Sequence, residues 1–247
     1  MPAGAVRYLR WADLRALSVG KLKVPDEFGP GTQELTVLFL GDLLDALPLE
    51  PGADVVLATC SDQYASVYRR DFIARYRPFL VLEIDGVGPD RWPPPGMAFS
   101  PGPYPILVSA TVVPDAARLL DLGHKKPWGV VAIDLETYSD AFHDAFSGRW
   151  AALSSHADHG REIWINSCAR CHPGPGSTFG GTKSGQPFAV LQAVAVGDPH
   201  LLMTYVRNPT SINPNAKMEP HPHYSDDQLK DLIAFILADP APKGAAH

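Results

Sequence analysis

The sequence predicts a two-domain chain, with an α+β or mostly-β domain first and an all-α domain after it. Three observations predict this. Short apolar runs broken by Gly/Pro-rich stretches fill residues 1–138. Capped segments with helical apolar spacing fill residues 155–247. A connector over 139–154 separates them, and the net charge of −6 divides as −5 on residues 1–154 and −1 on the remainder.

In the first domain the expected strands are Glu34–Leu40, Asp54–Thr59, Phe79–Ile84, Tyr104–Ala110 and Gly129–Leu135. The stretches Gly86–Gly96 and Ser100–Pro105 read as turns, and Gly41–Leu47 as a short helix. The connector is expected to be partly helical, with Phe142, Phe146 and Trp150 covering one face. Ser155 is placed to cap a helix running through Gly160 and Trp164 to Cys168. Asp198-Pro199 starts another helix, with Asp as cap and Pro at the first helical position. Pro209 stops it. Ser225-Asp226-Asp227-Gln228 is a capping box before Leu229, Leu232, Ile233 and Ile236. Pro240 closes that last element.

Composition excludes several classes of function. Apolar residues make up 45% of the chain and charged residues 19%, a globular balance. The acidic charge argues against a nucleic-acid partner, which needs a basic face. No run of about 18 uncharged apolar residues exists, so no membrane span is expected. Met1–Gly20 lacks the apolar core of a secretory signal, being interrupted by Arg7, Arg10, Asp13 and Arg15.

Chemistry concentrates at Cys168-Ala169-Arg170-Cys171-His172, the C-x-x-C-H pattern of covalent haem attachment. Two thiols three positions apart on a helical turn reach the two vinyl groups of one porphyrin. The next residue then swings its imidazole beneath the iron. A redox dithiol would sit in a βαβ setting, whereas this motif ends a helix in a helical region. A zinc site would need a second ligand pair, for which only His221-Pro222-His223 offers itself. For the second axial position, Met218 lies in a polar Asn/Pro/Lys loop with little core to fill. Its thioether suits haem iron, and His/Met ligation raises the reduction potential relative to bis-His. Met203, mid-helix, reads as packing. His221 and His223 are alternative ligands or solvated loop residues.

These residues carry a resemblance. Gly160-x-x-x-Trp164, the C-x-x-C-H motif, Val206-Arg207-Asn208-Pro209, Lys217-Met218 and a final helix with Phe235 together resemble a class I cytochrome c over about residues 155–240. The resemblance implies a class I cytochrome c fold for residues 155–247. It implies one haem c, with Cys168 and Cys171 as thioethers and His172 and Met218 as axial ligands. It also implies contact between Gly160 and Phe235 where the first and last helices cross. Relatives carry a Gly-Pro whose carbonyl holds the proximal imidazole. Here Pro173 follows the motif at once, and Pro187 is the candidate for that part.

The first domain more faintly resembles the molybdopterin-binding domain of the sulfite oxidase family. The resembling stretches are Leu35–Leu47, Val55–Val67 with Thr59-Cys60-Ser61-Asp62-Gln63-Tyr64, Gly102–Val108 and Pro127–Val131. In that family a cysteine after a strand ligates molybdenum, and Cys60 occupies such a place. The alternative reading of Cys60 is a buried small hydrophobe. Arg69 and Arg70 are available to an anion, or form a solvated face.

The expectation is single-electron transfer to a redox partner protein, with the first domain as a docking module lacking its pterin. The alternative is a sulfite-dehydrogenase-like molybdenum enzyme with its own haem outlet. A haem-based sensor, in which a small ligand displaces Met218, is a third reading. Covalent haem implies a periplasmic or otherwise exported protein, with its signal absent from this sequence.

Overall fold

The computed structural model describes residues 6–17, 19–47, 52–119, 122–146, 150, 152–175, 181, 183–184 and 186–238. The chain divides into two units. Unit 1 is Met1–Asp62 with Ser66–Tyr138, and unit 2 is Gln63–Ala65 with Ser139–His247.

Unit 1 holds two antiparallel sheets. The first has the order β1-β2-β5-β6, from β1 (Gly20–Pro25), β2 (Thr32–Phe39), β5 (Phe79–Ile84) and β6 (Ile106–Leu107). The second has the order β4-β3-β7, from β3 (Val55–Cys60), β4 (Ala65–Arg69) and β7 (Val130–Glu136). Strand β5 is buried on both faces, which is why it reads as a near-continuous apolar run. Val24, Phe28, Leu35, Val37, Phe79, Val81, Ile84 and Leu107 close one core around it. Strand β1 is an edge, with Lys21 and Lys23 turned outward and Pro25 at its end. Unit 1 also holds helices α1 (Trp11–Arg15), α2 (Leu40–Ala46) and α3 (Arg70–Tyr76), besides short 3-10 turns.

In unit 2 the described helices are α4 (Tyr138–Ala141, its first residue in unit 1), α5 (His143–Phe146) and α6 (Ser155–Ile163). After these come α7 (Phe188–Gly197), α8 (Pro199–Arg207), α9 (Pro209–Ile212) and α10 (Asp226–Leu237). Their boundaries follow sequence chemistry. Asp198 caps α8 by accepting from the Leu201 amide at 2.9 Å. Ser225 and Gln228 form the reciprocal capping box of α10. The cap of α6 is Ser154, one residue earlier than expected, accepting from the Ala157 amide. Helices α6 and α10 cross so closely at Gly160 that a Cβ there would lie 1.9 Å from the Asp231 carbonyl oxygen. The α10 backbone nearest to Gly160 is that of Asp231 and Leu232, one turn before Phe235. Phe235 joins Trp150, Trp164 and Phe188 in an aromatic cluster, with centroids 4.9 Å, 6.1 Å and 6.1 Å from its own. The inward Gln192 donates to the Ile236 carbonyl, satisfying an otherwise unpaired helix end. Pro240 and the side chain of Phe146 lie outside the described residues.

The expected fold class needs correction. The chain is mixed α/β, 41% helical and 20% strand, with a curled antiparallel sheet. The expected division into an α+β or mostly-β domain and an all-α class I cytochrome c domain is overturned at its all-α part. Helices α1 and α3, not anticipated from the sequence, stand beside the sheets of unit 1. Unit 2 is not made of helices alone: Gln63–Ala65, from the β3–β4 turn into the first residue of β4, belongs to it. Among the described residues no helix is long and apolar enough to cross a membrane.

Candidate functional site

Helix α6 does not run on as an α-helix to the motif. Over Trp164–Cys168 it widens into a π-turn, with the Ala169 amide donating to the Trp164 carbonyl at 2.8 Å. Single π-turns inside helices recur at functional sites. The chain then tightens. The amides of Cys171 and His172 both donate to the Cys168 carbonyl, at 3.2 and 3.0 Å. Cys168 and Cys171 are half-buried thiols, and neither they nor Cys60 are joined in a disulfide.

A strap closes over the turn. The Gly181 amide donates to the Ala169 carbonyl at 2.6 Å, and the Ser184 amide to the Cys171 carbonyl at 2.9 Å. Gly181 is required by close approach: a Cβ there would stand 1.8 Å from the Arg170 carbonyl oxygen. The segments on both sides of the motif therefore fix its backbone carbonyls.

His172 is half-buried, its ring centroid 6.1 Å from that of Trp164. Burial pushes its imidazole pKa down, which favours the neutral form. Its Nδ1 is enclosed and has no hydrogen-bond partner among the described residues, and neither has the Trp164 indole nitrogen. Among the described residues, Pro187 included, no carbonyl accepts from this nitrogen. Pro187 serves instead as the N-cap of α7.

Met218 is half-buried in the irregular loop between α9 and α10. Burial pushes the Tyr64 phenol pKa up against the opposing pull of the Arg170 guanidinium, with smaller upward contributions from Cys171 and from Glu219, the neighbour of Met218. The Met218 loop and the motif thus come within electrostatic reach of one tyrosine. Met203 is buried, as packing requires. His221 is not a solvated loop histidine. It is 5% exposed, donates its amide to the Val206 carbonyl and stacks on Tyr224. Tyr224 in turn shares a 2.7 Å hydrogen bond with Ser167. Among the described residues no three His, Cys, Asp or Glu side chains gather as a metal-binding group.

In unit 1, Cys60 ends β3 opposite Val130 and is 3% exposed. Arg70 donates to the Ala53 carbonyl at 2.6 Å, and Arg69 lies 4.5 Å from the centre of the Tyr138 ring. Both arginines are nonetheless exposed, as a solvated face requires.

Sequence reasoning passed over Arg170, Gly181, Lys183 and Ser184. The one signal for Arg170 was its position: a long cation as spacer between two cysteines, where attachment chemistry asks for nothing. Compared with known proteins, the chain matches no family model and no curated sequence.

Proposed function

We propose that this protein carries single electrons on one covalently bound c-type haem. Cys168 and Cys171 would form the thioethers, and His172 and Met218 would be the axial ligands. The observation that carries this reading is the prearranged turn. Two half-buried thiols three positions apart precede an imidazole held neutral by burial, on a backbone already tied at Cys168, Ala169 and Cys171. When bound, such a haem supplies a one-electron couple at its iron.

The chain's own residues do the rest. The Cys168 and Cys171 thiols anchor the group against loss. The Cys168 carbonyl, by accepting the His172 amide, sets where the imidazole stands. Trp164, Phe188 and Phe235 keep water from that side of the turn. Met218 brings a soft sulfur from a loop independent of the motif. Attachment of this kind implies an exported, periplasmic setting and a redox partner protein.

The test is production in an export-competent host with haem maturation machinery. We expect coloured protein whose mass exceeds that of the polypeptide by one haem, with pigment retained in acidified organic solvent. Colourless protein, or pigment that extracts, overturns the proposal.

A further inference from the structure

Arg170 is 1% exposed, although the spacer between two attachment cysteines needs no charge. Burying a guanidinium is expensive unless its donors are met. Its Nε and Nη2 both donate to the Asn166 carbonyl within the π-turn, the Nε bond measuring 2.9 Å. Its Nη1 donates to the Tyr64 hydroxyl at 2.8 Å. The guanidinium carbon stands 5.7 Å from the centre of the Tyr64 ring, and the Lys183 ammonium 5.6 Å from it. Lys183 belongs to the strap whose next residue, Ser184, binds the Cys171 carbonyl. The same ring therefore touches the middle of the motif and the strap over its end.

We infer that Tyr64 is a positioning residue for the haem-attachment turn, acting through Arg170. Tyr64 lies within Gln63–Ala65, the short stretch that groups with unit 2. Its phenol accepts from a fork that already grips the π-turn, so the spacing of Cys168, Cys171 and His172 is held by side chains as well as by backbone. Burial keeps that phenol protonated, so it remains a neutral acceptor. The readouts with haem rest on the function proposed above, but the first readout does not.

The experiment compares wild type, Tyr64→Phe, Arg170→Lys and the double variant. In the haem-free chain we expect faster alkylation of Cys168 and Cys171 by a maleimide in Tyr64→Phe, mapped by mass spectrometry, with buried Cys60 as internal control. In the haem-loaded protein we expect a lower midpoint potential in Tyr64→Phe, because a looser turn admits solvent to the site. Arg170→Lys, which loses the whole guanidinium fork, should shift both readouts the same way and further, and the double variant should match Arg170→Lys alone, since Tyr64 acts only through that fork. Unchanged thiol reactivity in Tyr64→Phe, or shifts that simply add in the double variant, overturns the inference. Wild type that takes up no haem overturns the function instead and leaves the alkylation result to stand on its own.

Discussion

The motif turn and the Met218 loop would grip one metal from two sides, yet they are built differently. Around the motif, the carbonyls of Trp164, Asn166, Cys168, Ala169 and Cys171 all accept hydrogen bonds, and Trp164 and Arg170 are almost fully buried. The Met218 loop is held by short local bonds: the Ala216 amide to the Asn213 carbonyl at 2.8 Å, and the Asn215 amide to the Asn213 side chain at 3.0 Å. Asn213, Pro214, Asn215 and Lys217 are exposed. The difference teaches that the two ligands answer to different constraints. On the function proposed, one side would be fixed before any cofactor arrived, and the other could be altered without disturbing the attachment.

The largest expected effect removes the fixed side. Cys168→Ser with Cys171→Ser should abolish pigment retention in acidified organic solvent, while urea unfolding of the haem-free chain changes little. Retained pigment would break the comparison. Next comes Gly181→Ala, whose new methyl group meets the Arg170 carbonyl. Backbone must shift, and we expect a loss of about 3 kcal/mol in urea unfolding. A loss below about 1 kcal/mol would show that the strap yields more easily than the distances imply.

Met218→Ala should leave haem attached and stability nearly unchanged. It should remove the weak far-red absorption that marks sulfur ligation in the oxidised protein. Persistence of that band would assign the sixth position to another sulfur. The smallest effect belongs to Asn213→Ala, which removes one exposed side-chain bond and should cost under about 1 kcal/mol by thermal unfolding. A larger cost would mean that the loop is as firmly built as the motif.

How much of this was legible in the sequence depended on where the deciding force lies. Strand β5 was read to the residue, because burial on both faces writes itself as an apolar run. The expected strand Tyr104–Ala110 shrinks to Ile106–Leu107: Pro105 has no amide to give the ladder. Strand β1 escaped notice because alternating lysines on an edge look like loop. The caps of α8 and α10 were legible, since capping is local chemistry. Gly160 was recognised as a crossing point, but which atoms it meets is a matter of tertiary register. The contact between Tyr64 and Arg170 joins residues far apart in sequence, and no periodicity announces it. The all-helical expectation failed for a similar reason, as residues 63–65 fold with a unit whose remaining sequence begins at residue 139.

The widened coil over Trp164–Cys168 has one more consequence. A π-turn holds one residue more than the α-helix it interrupts. Each helical residue turns the chain by about 100°. Dropping a single residue from this stretch would restore regular winding and rotate both sulfurs away from their present direction, while Trp164 kept its seat among the rings. Insertions and deletions here should therefore be tolerated far less than substitutions, because the count of residues aims the thiols.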